Sequence, residues 1–128
     1  MQFIGGIDII KNYRDLDVWQ TSMDLVVNCY NATKLFPKHE LYGLTSQLQR
    51  AAVSVPANIA EGRQRQHRKE FRQFLSIAQG SLAELETHLE IAVRLGYTDT
   101  KHTTKINEQT QRVSRMLHGL KTALAEKR

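Results

Sequence analysis

The sequence has a single cysteine, Cys29, and only two prolines, Pro37 and Pro56, in 128 residues. A lone cysteine rules out a disulfide within the chain and a zinc site built on cysteines. Cys29 sits in a helical apolar pattern with no basic residue one turn away to stabilise a thiolate, so it reads as a buried, inert thiol. No apolar run reaches the roughly 20 residues that a membrane-spanning helix needs. The opening stretch MQFIGGIDIIKNYRD lacks a positively charged lead and carries Asp8, so it does not read as a signal peptide. A cytoplasmic protein without a membrane partner is the expectation. Strand-like alternation, hairpin turns, internal repeats and low-complexity tracts are also missing.

Motifs that carry chemistry are equally scarce. Di-iron bundles need a Glu-x-x-His pair on each of two helices. Here Glu84 and His88 are four apart and have no matching second pair, while His39, His67, His102 and His118 lack ligand spacing. There is no phosphate-cradling glycine loop and no Gly-x-Ser-x-Gly elbow. Nucleophile, base and orienting group do not come together anywhere. The expectation is a non-enzymatic protein with no catalytic residues, no metal and no cofactor.

What is present is helix. An apolar content of 41% with 24% charged residues suits a soluble chain with one core. The organising stretch is Leu41 to Gly62, LYGLTSQLQRAAVSVPANIAEG. Leu41, Leu44, Leu48, Ala52, Val55 and Ile59 recur at three-and-four spacing on one face, and Ser46, Val53, Ala57 and Ala60 line another. A helix this apolar around its circumference is buried on more than one side, which predicts packing against another subunit as well as within its own.

Taken in order, residues 1–13 read as an extended or disordered arm with Gly5-Gly6 as a flexible point, and residues 14–128 as the bundle. Helix one is expected over about 15–36, with Leu16, Trp19, Met23, Val26 and Tyr30 as its seam and Phe36-Pro37 as its stop. Helix two covers about 41–62, kinked near Pro56 and capped by Gly62. Helix three covers about 67–95, on a seam of Phe71, Leu75, Ala78, Leu82, Leu85, Leu89 and Ala92. Gly80 and Ser81 in its middle weaken it and suggest a close approach by a neighbouring backbone. Helix four covers about 101–125, with Ile106, Val113, Leu117, Leu120 and Leu124 inward. Short connections make this an all-α, antiparallel up-down-up-down four-helix bundle.

Two polar groups stand out. Arg50, Ser54, Asn58 and Glu61 form a line on helix two that reads first as a buried hydrogen-bond network fixing helix register, with Glu84 of helix three as the partner of Arg50. The second group is Arg63, Arg65, Arg68, Lys69 and Arg72, five cations against Glu70, in a chain of net charge +5. Clustered positive charge at one end of a bundle suits phosphate binding, with a solvated corner that keeps the protein soluble as the alternative. No aromatic residues interleave with these cations to stack bases, so sequence-specific reading is not indicated.

The segments DLDVWQTSMDLVVNCY, FPKHELYGLTSQLQRAAVSVPANIAEG and EFRQFLSIAQGSLAELETHLEIAVRLGY carry a resemblance. They resemble the bacterial four-helix-bundle proteins encoded in intervening sequences of 23S ribosomal RNA genes. More distantly, they are similar to the accessory variability proteins of diversity-generating retroelements. The resemblance implies a homopentameric, ring-like assembly and a role in binding RNA. For the retroelement relatives it also implies binding to a reverse transcriptase. Arg50, Ser54, Asn58, Glu61, Gly62, Phe71, Gly80, Ser81 and Glu84 fall on the family's signature positions, none with a catalytic role there. Two functions follow as expectations: a homo-oligomeric RNA-binding or nucleoprotein-accessory protein, or a protein-interaction scaffold that holds a reverse transcriptase without touching RNA.

Overall fold

Four helices account for nearly all of residues 12–125, the part of the chain that the computed structural model describes. They are α1 (Asp17–Thr33), α2 (Leu44–Gln64), α3 (Arg68–Arg94) and α4 (Thr100–Ala125), with single 3-10 turns at Tyr13–Asp15 and Lys38–Glu40. No strand occurs among the described residues. Of the arm expected over residues 1–13, positions 1–11 lie outside the described residues. Tyr13, placed in that arm by the sequence, instead opens the first 3-10 turn and packs its ring 5.2 Å from that of Trp19.

α1 buries Val18, Ser22, Leu25, Cys29 and Thr33. That face differs from the expected seam, of which Leu16 is buried, Trp19 and Val26 are half-buried, and Met23 and Tyr30 are exposed. The inward face is less apolar than its neighbour because its hydroxyls satisfy themselves. Ser22 Oγ donates to the Trp19 carbonyl and Thr33 Oγ1 to the Tyr30 carbonyl, each at 2.9 Å, so neither is buried without a partner. Glu40 then prepares the start of α2. Its carboxylate accepts from the Leu44 amide at 2.9 Å and from the Tyr97 hydroxyl at 2.7 Å. Those two bonds, the amide first, hold the Glu40 carboxyl below its ordinary range.

In α2, Leu48, Ala52, Val55 and Ile59 are fully buried, as their spacing predicts, but Leu44 is half-buried and Leu41, expected on the same face, precedes the helix and is exposed. The helix runs unbroken through Pro56 and past Gly62 to Gln64. Gly62 is therefore not its cap. The chain reverses at Gln66, whose φ of 62° lies in the left-handed region. Gly62 has a packing role: a Cβ there would stand 2.6 Å from Phe74 Cβ and 3.0 Å from Phe71 Cδ1, so only glycine lets α2 and α3 approach this closely.

α3 buries its whole predicted seam from Phe71 to Ala92. It ends in a Schellman turn, with Gly96 at φ 78°, its amide bonded to the Val93 carbonyl and the Tyr97 amide to that of Ala92. α4 buries Ile106, Val113, Leu117, Leu120 and Leu124 with Thr103 and Thr110. α2 packs most extensively on α3, while α1 contacts α2 and α4, and α3 contacts α4, closing a ring of four helices around one core. Gly80 departs from expectation. No neighbouring element among the described residues lies within 4 Å of where its Cβ would be, so the close α2–α3 approach is at Gly62.

The two glycines should therefore respond oppositely to alanine. Gly62→Ala overpacks the α2–α3 contact at a cost of about 1–3 kcal/mol, more than the helix propensity it gains. Gly80→Ala meets open space and should stabilise the bundle by up to about 1 kcal/mol. Urea unfolding followed by circular dichroism measures both, and equal stability of the two variants would remove the Gly62 contact from this account.

Candidate nucleic-acid interface and the adjoining polar groove

The turn from α2 to α3 brings the five predicted phosphate-binding cations to one end of the bundle, but it does not present them alike. Arg63 follows Ile59 by one helical turn, shares its inward face and is only 4% exposed. It is not part of a solvent-facing surface, which corrects the expectation. Arg68 and Arg72 are half-buried. Arg68 Nη1 donates to the Leu124 carbonyl at 3.4 Å and Arg72 Nε to the Lys121 carbonyl at 3.2 Å. Both guanidinium groups thus latch onto C-terminal carbonyls of α4, where positive charge also complements the helix dipole. Of the five, only Arg65 and Lys69 are exposed. Arg65 lies 5.2 Å over the Phe74 ring and pairs with Glu61 at 3.0 Å. Such a solvent-exposed pair is worth little and is readily exchanged for another anion.

The polar line on α2 also divides. Ser54 Oγ and Ser81 Oγ share a hydrogen bond of 2.8 Å across the α2–α3 contact. Asn58 Nδ2 donates to the Ser54 carbonyl at 2.8 Å and to Ser54 Oγ at 2.9 Å. Ser81 is buried and Ser54 and Asn58 are half-buried, so these three form a satisfied network. Arg50, Glu61 and Glu84 stand outside it, all exposed. Arg50 and Glu84 line one cavity of about 560 Å³ with Tyr42, Ser46, Gln47 and His88, but they form no ion pair with each other. The expected buried Arg50–Glu84 partnership is therefore corrected: an exposed guanidinium keeps its hydration and needs no buried counter-charge.

Two further features of the surface escaped the sequence reading. One is the groove itself, in which Tyr42 and His88 join Ser46, Gln47, Arg50 and Glu84, a meeting that only the α2–α3 packing produces. The other is on α4, which carries five cations against the single acid Glu108. Counting charge by segment had concealed these because acidic residues elsewhere offset them. The spacing of Lys101, Lys105, Arg112 and Arg115 was the available signal. Apolar side chains also remain at the surface, including Met23, Val27 and Tyr30 on α1, Val53 on α2, and Ile77 and Ile91 on α3.

Among the described residues, no group of three His, Cys, Asp or Glu side chains is placed to hold a metal ion, and no helix is long and apolar enough to cross a membrane. Cys29 is fully buried, and that burial pushes its thiol from an ordinary 9.0 up to about 12.

Comparison with known proteins agrees with this architecture. The family model described as 23S rRNA-intervening sequence protein matches residues 14–119. A solved structure from Bacteroides thetaiotaomicron, titled a protein with unknown function from the S23 ribosomal protein family, is 27% identical with a TM-score of 0.75. The match covers 81% of this chain and 97% of that one. No curated protein matches the chain.

Two outcomes follow from this geometry. Arg72→Gln should cost about 1 kcal/mol of stability through the lost carbonyl latch, whereas Lys69→Gln should change it by less than about 0.5 kcal/mol. Urea denaturation separates them, and equal effects would mean that the latch contributes nothing. Cys29 should resist a disulfide-exchange reagent at pH 8 and react once urea unfolds the chain. The raised folded value also sets a sign: the thiol's contribution to stability is whole below pH 9 and is lost as pH rises towards about 12. A native thiol that reacts at once would show that α1 opens readily.

Proposed function

The chain belongs to the 23S rRNA-intervening sequence protein family, and from that premise we propose that it acts without catalysis, as a homo-oligomeric RNA-binding or nucleoprotein-accessory protein of the bacterial cytoplasm. The observation that carries the reading is the exposed pair Arg65 and Lys69 at the α2–α3 turn, in a protein of net charge +5. Both face solvent, and the one anionic partner there, Glu61, is held in a weak surface pair. Phosphate oxygens suit such groups, and no base-specific contact is needed.

Within each subunit we favour the antiparallel up-down-up-down order. It is supported by the bonds of Gln49 to Thr33 and of Arg68 to Leu124, in which the start of one helix meets the end of the helix beside it. We place the bundles in a homopentameric ring on the family resemblance. Support for burial between copies comes from the exposed apolar residues of α1, α2 and α3, more than a surface meant only for water would carry. A second reading, a scaffold for a protein such as a reverse transcriptase, is favoured by one feature. Trp19, Met23, Val53, Ala57 and Ala60 line an apolar groove of about 260 Å³ between α1 and α2, and it suits a protein side chain better than RNA.

Light-scattering mass after size exclusion, with and without total RNA at low and high salt, tests the proposal. The expected result is a salt-stable oligomer that takes up RNA at low salt, with uptake reduced at least tenfold in the Arg65→Glu, Lys69→Glu double variant. An oligomer that ignores RNA at low salt would overturn the RNA reading in favour of the scaffold. A monomer would overturn the assembly.

A further inference from the structure

Lys101, Lys105, Glu108, Arg112 and Arg115 follow one another at spacings of four, three, four and three along α4. At 100° per residue they fall within an arc of roughly 80°, and at 1.5 Å per residue they extend over about 21 Å. All five are exposed. Their face lies opposite the one that α4 buries through Ile106, Val113 and Leu117, so it points away from the core. Glu108 is the only acid on the line. Thr104, Gln111, Ser114 and His118 beside it are also exposed and offer neutral hydrogen-bonding groups.

We infer that this outer face of α4 is a track for the sugar–phosphate backbone of double-stranded RNA, with Lys101, Lys105, Arg112 and Arg115 contacting phosphates. The inference rests on the RNA reading above and extends it from a corner to a surface. Two observations favour a duplex over a single strand. α4 has no Phe, Trp or Tyr, so it offers no platform on which unpaired bases could stack. A straight run of cations suits a regular backbone read by shape and charge, as A-form RNA is. The helix that bears the track also reaches the corner, with Lys121, bonded to Arg72, about 9 Å along the axis beyond Arg115. The C-terminal end of α4 is held by Arg68 and Arg72 at the start of α3, next to the turn that bears Arg65 and Lys69.

Glu108 makes the inference directional. A carboxylate among the cations repels phosphate, so removing its charge should strengthen binding, a result that neither a purely structural α4 nor a corner-only site would give.

The test is fluorescence anisotropy of a labelled 20-base-pair RNA duplex and of a single strand of the same length, titrated with the full chain from 50 to 200 mM salt. The Lys105→Gln, Arg112→Gln, Arg115→Gln triple variant should bind the duplex at least tenfold more weakly. Its slope of log affinity against log salt should be shallower by about 3, one for each lost phosphate contact. Glu108→Gln should bind two- to fivefold more tightly. Neutral side chains at exposed positions leave the fold in place, which circular dichroism and oligomer mass check. Duplex affinity unchanged in the triple variant but lost in Arg65→Gln, Lys69→Gln would overturn the α4 track and leave the corner reading standing. Binding of the single strand alone would do the same. Failure of the wild-type protein to bind either RNA would overturn both.

Discussion

The approach of α2 to α3 at Gly62 is the constraint on which the rest of the molecule depends. With no side chain at that position, the α2 backbone settles against Phe71 and Phe74, tighter than any larger residue would permit. From there the pairing of the two helices is fixed upward. Ser54 reaches Ser81 at 2.8 Å and Asn58 closes on Ser54, so a polar network is satisfied in the middle of the most extensive helix contact. The same approach determines what happens below it. The chain reverses there at Gln66, in the left-handed region, with Arg63 turned inward on the α2 side.

Geometry sorts charges that composition treats as equal. Five basic residues within ten positions look like one patch, yet Arg63 is buried, Arg68 and Arg72 serve the end of α4, and Arg65 and Lys69 face water. The exposed charge of the bundle lies as much along α4. Electrostatic attraction for a polyanion depends on which charges remain in solvent within reach of one another, because buried and bonded groups have already spent much of their interaction energy within the protein. A count along the chain is therefore a poor guide to a binding surface, whereas position on a helix is a better one.

The fold was largely legible in the sequence. The inward seams of α2, α3 and α4 could be read directly, because large aliphatic residues recur there without competition. α1 was misread by one step of rotation. Its outward face carries the bulkier residues Trp19, Met23 and Tyr30, while its inward face includes Ser22, Cys29 and Thr33. Hydroxyls that bond their own helix are cheap to bury, and hydrophobic periodicity does not register that. Gly62 reads as a helix end because glycine commonly marks one. Its partners, Phe71 and Phe74, lie on the next helix, and only packing reveals them. The candidate site was less legible. Ser54, Asn58 and Ser81 do meet, but the partnership of Arg50 with Glu84 presumed a burial that neither residue has.

The two arginines of α3 that hold the end of α4 carry a consequence for how such a protein responds to its surroundings. A guanidinium that holds a backbone carbonyl can be captured by a phosphate only by letting that carbonyl go. Occupying Arg68 and Arg72 with a polyanion thus frees the last turn of α4 to fray, and its amides then exchange with solvent more quickly. Concentrated salt draws on the same groups. Any polyanion held at this corner would thus be linked to local opening of α4, because the end of the helix competes for the same guanidinium groups.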